Sequence, residues 1–374
     1  MTIQELLNDP IINLPKKRGN NSFENFTTEI FNSYHDKLGK LEDYIVYGEN
    51  KRKIDCKLIK RKSLSLSKEL IKAVKEYLFG KPHLAFKIFK TIVDNSELSL
   101  NFQHLMGGEN FYRVRYLESN YSLNKEQLFH IPFELKGKVK TQRYSIPGFP
   151  CLYLSDSIYT CWEELKKPDI YKLHGSRLEL KSNEITNILV IPLPKHEIDK
   201  FCTDDGKIVE SSNGAGIDSL LINWPLYFFC SILVKSPEDH FKPEYIIPQL
   251  LLQYIRDESK IHGVKYFSTN IDYSLNGVEG AFYNYVFPVR HTAGKGLCQD
   301  LSKRFLITEP IPFGVIKNID GGGAWLNSGR NELSPHVKKI EFIKGFSTQY
   351  SYSLFGTFER YLNNAKTVDI EDRG

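Results

Sequence analysis

The sequence predicts an α+β fold, a mixed sheet core preceded by a mostly helical extension. Three observations carry that prediction. Before residue 100 the apolar residues recur at helical spacing, whereas beyond residue 109 they come in short runs bounded by turn residues. Aromatic residues make up 13% of the 374, with 24 Phe and 21 Tyr, which favours a sheet-containing core over a helical bundle. No GxGxxG fingerprint leads from a strand into a helix, so a doubly wound dinucleotide fold is disfavoured.

The first elements are helical. ENFTTEIFNSYHDKL carries a weak helical stripe through Phe26, Ile30, Phe31 and Tyr34. A stronger helix is expected from a Ser67 cap, with Leu70, Ile71, Val74, Tyr77 and Leu78 on its apolar side. Gly80 should end it and Pro82 should open the next, whose face carries Phe86, Phe89, Ile92 and Val93. Lys51, Arg52, Lys53, Lys57, Lys60, Arg61 and Lys62 form the most basic stretch. They lack the interleaved aromatics of a nucleic-acid groove and read as a solvated face.

Asn101–Asn110, with its Gly107-Gly108 pair, marks a domain boundary. The division expected is 1–108 as a helical accessory region, 109–350 as the main domain and 351–374 as a tail. Strands are read at FYRVRY, around FHIPFELKGKVKTQRYS with Pro132 at an edge or start, and at ITNILVIPL. Helices follow near 217–234 and 245–256. VKYFST, YNYVFP, KRFLIT and KKIEFIKGF complete the strands. Asp320–Gly323 reads as a surface turn rather than a phosphate cradle, because no helix clearly follows it.

Composition excludes several function classes. The net charge of +5 is mild, so nucleic acid is not demanded as a partner. MTIQELLNDP has no basic n-region ahead of an apolar run, and no window approaches the roughly 18 apolar residues of a membrane helix. A cytoplasmic protein without a membrane partner is expected. The six cysteines show neither a CxxC pair nor a His at ligand spacing, which argues against zinc and against a disulfide framework. No Walker A, GxSxG, HExxH or kinase signature appears.

The most informative stretch is Thr141–Leu165, TQRYSIPGFPCLYLSDSIYTCWEEL. It reads as a turn at Pro147-Gly148, a short strand, then a helix capped by Ser155 or Asp156 and stopped before Pro168. Ile158, Cys161, Trp162 and Leu165 define the helix's buried face. Glu163 then points to solvent at roughly 150° from that face, while Glu164 sits at its boundary at roughly 110°. Arg143, Tyr153 and Glu164 suit an anionic, sugar-containing ligand: a guanidinium for phosphate, a ring face for a flat base, a carboxylate for positive charge on a sugar. An Arg–Glu surface pair beside a core tyrosine is the alternative left open by spacing alone.

These residues resemble the RES-domain family. The matching positions are Arg143 in its turn, Tyr153 at a strand end and Glu164 in the following helix, with Ser268 in GVKYFST and Arg113 in FYRVR. YNYVFP and GLCQDLSKRF extend the resemblance, which spans about residues 109–312. QRYS departs from the family's GRWN-like turn, and the first 100 residues have no counterpart in compact members.

The resemblance implies an ADP-ribosyltransferase-like mixed sheet core and NAD⁺ as substrate, with no other cofactor. Glu164, Arg143, Tyr153 and Ser268 would be catalytic, and Arg143, Tyr153, Arg113 and Ser268 would bind NAD⁺. The implied activity is cleavage of the nicotinamide–ribose bond by phosphate or water, in a growth-inhibiting toxin or defence effector. Mono-ADP-ribosylation of a protein or nucleic acid, or NAD⁺ binding without turnover, are the alternatives. Phosphate, an antitoxin protein and a second copy of the chain are the further partners considered.

Overall fold

The computed structural model describes residues 1–47, 52–94, 100–118, 123–182, 184–202, 216–275, 277–319, 333 and 336–370. In chain order, the helical segment contains α1 (Ile3–Leu7), α2 (Phe23–Gly39), the hairpin β1 (Tyr44–Tyr47) and β2 (Arg52–Asp55), α3 (Cys56–Leu78) and α4 (Pro82–Asp94). Then come β3 (Phe102–Leu105), β4 (Asn110–Tyr116), β5 (Cys151–Ser155), α5 (Ile158–Glu164), β6 (Leu173–Leu180) and β7 (Thr186–Ile191). They are followed by α6 (Pro194–Phe201), α7 (Ile217–Ser231), α8 (Ile246–Asp257), β8 (Gly263–Phe267), β9 (Glu279–Gly280) and β10 (Tyr283–Pro288). The chain closes with α9 (Gln299–Arg304), β11 (Phe305–Thr308), β12 (Ile311–Pro312), α10 (Phe313–Ile319), β13 (Val337–Ile343), β14 (Phe346–Gln349), α11 (Leu354–Asn364) and β15 (Thr367–Asp369). Among the described residues no helix is long and apolar enough to cross a membrane.

Two compact units result. The first combines Met1–Phe102 with Thr141–Ile146 and Leu189–Glu258, and the second holds Gln103–Lys140, Pro147–Ile188 and Ser259–Gly374. The first change of unit falls between Phe102 and Gln103, six residues before the 108/109 division expected, and 189–258 groups with the N-terminal helices rather than with a main domain over 109–350. The reason is composition: every residue of α7 except Asp218 is buried, so the helix needs apolar cover on all sides. The aromatic face of α2 supplies part of it. Phe31 meets Phe228 at 5.3 Å and Phe229 at 5.4 Å, and Tyr34 stacks on Trp224 at 4.2 Å. Tyr34 Oη donates to Leu221 O and Trp224 Nε1 to Ile12 O, so both polar tips are satisfied inside the core.

Helix α3 starts twelve residues earlier than the Ser67 cap would place it. Asp55 is the cap, its carboxylate accepting from Leu58 N at 2.9 Å. Ser67 lies mid-helix and bonds back to Ser63 O at 2.9 Å, the other way a serine satisfies itself on a helix. The ending follows the sequence: Gly80 takes φ +76° and Pro82 opens α4.

The second unit is built on a ten-stranded sheet in the order β15-β11-β6-β4-β5-β10-β8-β7-β3, with β12 also on β6. A smaller sheet runs β14-β13-β9. The architecture is α+β, as expected. Residues 133–138 form a 3₁₀ turn where a strand was expected, consistent with Pro132 denying the ladder a donor. Residues 351–370 are no tail. Helix α11 buries Phe355, Phe358 and Leu362 in a cluster with Tyr112, Ile158, Tyr159 and Phe282, and β15 pairs with β11 at the sheet edge. Each such side chain gains roughly 1.5–3 kcal/mol from burial, enough to order a terminal helix. Asp320–Gly323 lies outside the described residues.

Candidate active site

In the second unit, three strands and one helix bring a carboxylate to a set of hydrogen-bond donors. β5 and β10 pair antiparallel with Asn284 opposite Ser155 and Val286 opposite Tyr153, and β8 flanks β10 on its far side. Helix α5 leaves β5 through a Ser157 cap, whose hydroxyl accepts from Thr160 N at 3.1 Å. The cap is one or two residues later than the sequence suggested, and the helix is correspondingly short, ending on Glu164.

Glu164 Oε1 accepts from Ser268 Oγ at 2.6 Å and from Asn284 Nδ2 at 2.7 Å, and Oε2 accepts from Asn270 Nδ2 at 2.7 Å. Three of the roughly four lone-pair positions of the carboxylate are thus used, and all three donors hold it in one orientation. The donors are themselves fixed. Ser155 Oγ donates to Asn284 Oδ1 at 2.6 Å, which turns that amide's NH₂ toward Glu164. Ser268 is fully buried, donates its N–H to Phe282 O at 2.7 Å and accepts from Asn270 N at 3.2 Å. Glu164 itself is half-buried, with its carboxylate at the edge of the cluster. Tyr153 is also half-buried and shares the Ser155 face of β5 by strand alternation.

Arg113 joins the cluster from β4. That strand pairs with β5 at Tyr112↔Ser155, and beyond this pair Arg113 Nη1 reaches the Tyr153 carbonyl at 2.7 Å. Its buried Nε has no hydrogen-bond partner among the described residues. Burial, aided by Arg115, pushes its pKa down to about 10, so it stays cationic at neutral pH. Cys161 is an inert thiol, pushed up to about 12 mainly by burial.

Glu163 departs from expectation. It is 3% exposed, paired with Lys167 Nζ at 3.0 Å, while Leu165 is the exposed residue at 39%. The wheel assumed a helix continuing through Leu165. The chain instead ends the helix at Glu164 and folds Lys166 and Lys167 back, which covers Glu163 and uncovers Leu165.

Arg143 belongs to the first unit, whereas Glu164, Tyr153, Ser268 and Arg113 belong to the second. Its turn is held by Gln249 Nε2, which donates to Gln142 O and Ser145 O. From there its guanidinium donates to Cys230 O at 3.2 Å and Ile232 O at 3.1 Å, with the Tyr245 ring 5.3 Å away. These are carbonyls at the C-terminus of α7, where a cation satisfies orphan acceptors and the helix dipole together. Arg143→Met should therefore lower the stability of the first unit by about 1–2 kcal/mol, read as a shift in its urea midpoint. A midpoint within experimental error of the parent's would refute the capping role.

Asp156, considered in the sequence only as a cap, is a second buried carboxyl beside the cluster. Oδ2 accepts from Tyr283 N at 2.9 Å and Oδ1 from Thr160 Oγ1 at 3.0 Å. Burial raises its pKa from 3.8 to about 7, against the lowering effect of the Tyr283 N–H, Lys265 and Thr160. The folded chain thus keeps a proton that the unfolded chain releases between those values. Its contribution to stability is present at pH 4 and is lost as the pH rises to 7, by at most about 4 kcal/mol. His130 works in the opposite sense, its pKa pushed down to about 4 by burial, so that acidification from 6.5 costs stability. Asp156→Asn should remove the first slope and leave the second. Stability curves of parent and variant that run parallel between pH 5 and 7 would contradict the assignment.

Asn270 and Asn284 were not singled out in the sequence, and Ser155 was considered there only as a cap and a strand-face residue. Asn284 did carry a signal, an amide in the otherwise apolar strand YNYVFP, where β-propensity disfavours it. Among the described residues no group of three His, Cys, Asp or Glu side chains is placed to hold a metal ion, and all six cysteines are free.

No family model matches the chain, and no solved structure matches it. It is similar to the curated protein "Putative toxin YopC" of Bacillus subtilis (strain 168). The two are 32% identical over 368 residues, which cover 94% of this chain and 78% of the relative.

Proposed function

The chain belongs to the family of Bacillus subtilis YopC, and from that premise we propose that it is a toxin that acts by consuming NAD⁺. The toxin role comes from the relative's name. The chemistry comes from the site together with the RES-type pattern. The observation that carries it is the 2.6 Å bond from Ser268 to Glu164, which joins two residues of that pattern 104 positions apart.

In this reading the C–N bond between ribose and nicotinamide breaks and neutral nicotinamide leaves with the electron pair. The ribose carbon then carries oxocarbenium-like positive charge until phosphate or water adds and gives up a proton. A carboxylate held in place by Ser268, Asn270 and Asn284 stabilises that charge without first having to reorganise. Tyr153 lines the ring or ribose site, and Arg113 faces the phosphates. Arg143 acts on the fold of the first unit, because its guanidinium is engaged at the α7 terminus.

The test is incubation of the purified chain with NAD⁺ labelled in both halves, with and without phosphate. Release of nicotinamide together with ADP-ribose or its 1″-phosphate is expected. Retention of intact NAD⁺ by folded protein would remove the enzymatic reading. Label on a macromolecule would redirect it to ADP-ribosyl transfer.

A further inference from the structure

Among the described residues, only Lys166 and Lys167 combine a side chain with left-handed backbone, at φ +67° and +57°. They follow Glu164 after the intervening Leu165. They close α5, with Lys166 N donating to Glu163 O at 3.0 Å and Lys167 N to Trp162 O at 3.1 Å. Glycine closes helices this way without strain, and this chain uses glycine for left-handed turns elsewhere, at Gly80 and Gly148. The strain therefore calls for a reason in the side chains.

For Lys167 the reason is its ion pair with Glu163 at 3.0 Å and its position 5.6 Å over the Trp162 ring. Lys166 does something different. Its Nζ donates to Asn270 Oδ1, and the other end of that amide, Nδ2, donates to Glu164 Oε2 at 2.7 Å. A side-chain amide can present either its oxygen or its NH₂ to a neighbour. Presenting the oxygen would set it against the Glu164 carboxylate. An ammonium on Oδ1 selects the opposite orientation, in which Asn270 donates. Asn284 is oriented the same way by the Ser155 hydroxyl. The carboxylate is thus flanked by two amides, one held by a buried hydroxyl and one by an exposed lysine.

We propose that Lys166 is a positioning residue for Glu164, acting through Asn270, and that the left-handed turn is retained to bring its ammonium there. The effect on turnover rests on the NAD⁺ reading; the orientation of Asn270 does not.

The experiment uses full-length protein with ¹⁵N-labelled asparagine and the variants Lys166→Gly and Lys166→Arg. Three results are expected of Lys166→Gly. The Asn270 side-chain amide protons exchange with solvent at least about tenfold faster, the equivalent of one lost hydrogen bond. The melting temperature stays at or above the parent's, because glycine relieves the turn. The turnover number for nicotinamide release falls about tenfold while KM is unchanged, the signature of a group that acts in the transition state. Lys166→Arg keeps the charge and should hold both exchange and turnover near the parent's values.

Unchanged exchange in Lys166→Gly overturns the proposal. A lowered melting temperature, with turnover falling only in proportion to folded protein, also overturns it and leaves a structural role. If the parent itself releases no nicotinamide, the NAD⁺ reading fails, and the exchange measurement still decides the orientation of Asn270.

Discussion

Glu164→Gln should reduce nicotinamide release by about 10²- to 10³-fold. The magnitude follows from the charge removed. A full carboxylate about 4 Å from a developing positive charge, at the effective dielectric of a partly buried site, supplies about 4 kcal/mol, or roughly three powers of ten. Loss of a preorganised electrostatic group at other enzyme sites has similar consequences. Gln preserves the shape but not the acceptor pattern. Its amide oxygen can still receive Ser268 and Asn284, whereas its NH₂ meets the NH₂ of Asn270, which Lys166 holds in place. A stability loss of about 1–3 kcal/mol is expected alongside the loss of activity. Turnover must therefore be normalised to folded protein by circular dichroism at the assay temperature. Glu164→Asp keeps the charge, withdraws it by one methylene and should fall between parent and Gln. Release by Glu164→Gln above a tenth of the parent rate would sink the assignment of Glu164 as the charge-stabilising group.

The second large effect concerns the fold. Arg177→Met should destabilise the second unit by about 3–5 kcal/mol, the usual cost of removing one partner from a buried charged network. Arg177 is 7% exposed on β6, and its whole guanidinium is in use. Nε donates to Leu362 O at 3.1 Å and Nη2 to Ala365 O at 3.0 Å, the carbonyls at the end of α11. Nη1 donates to Asn110 Oδ1 and Glu179 Oε2, both at 2.7 Å. Met fills most of the volume and leaves four acceptors without their donor. With roughly 2–4 °C per kcal/mol for a unit of this size, the melting temperature should drop on the order of 10 °C. Arg177→Lys should recover only part of this, since one ammonium cannot span acceptors spread over a planar fork. A drop of less than about 2 °C for Arg177→Met would show that α11 is held by its apolar face alone.

The sequence by itself determined those features that depend on neighbouring residues. Gly80 and Pro82 end one helix and begin another because their backbone preferences act locally. FYRVRY and YNYVFP are strands because alternating or continuous β-formers leave few other ways to bury a short run. Glu164 could be picked out at the boundary of α5 by the helical wheel.

The tertiary structure decided what depends on residues far apart in the chain. Whether Glu163 or Leu165 is covered turned on where α5 stops, and that turned on two lysines taking a backbone conformation they intrinsically disfavour. The destination of Arg143 was set by the end of α7, almost ninety residues later, where unpaired carbonyls compete for a guanidinium. Asn284 gained its place beside Glu164 from strand register, since a slip of one residue would turn it to the other face, and Asn270 gained its place from the bend that follows β8. A carboxylate's neighbours are chosen by the packing that excludes water from it, and that packing exists only once β5, β8, β10 and α5 are assembled.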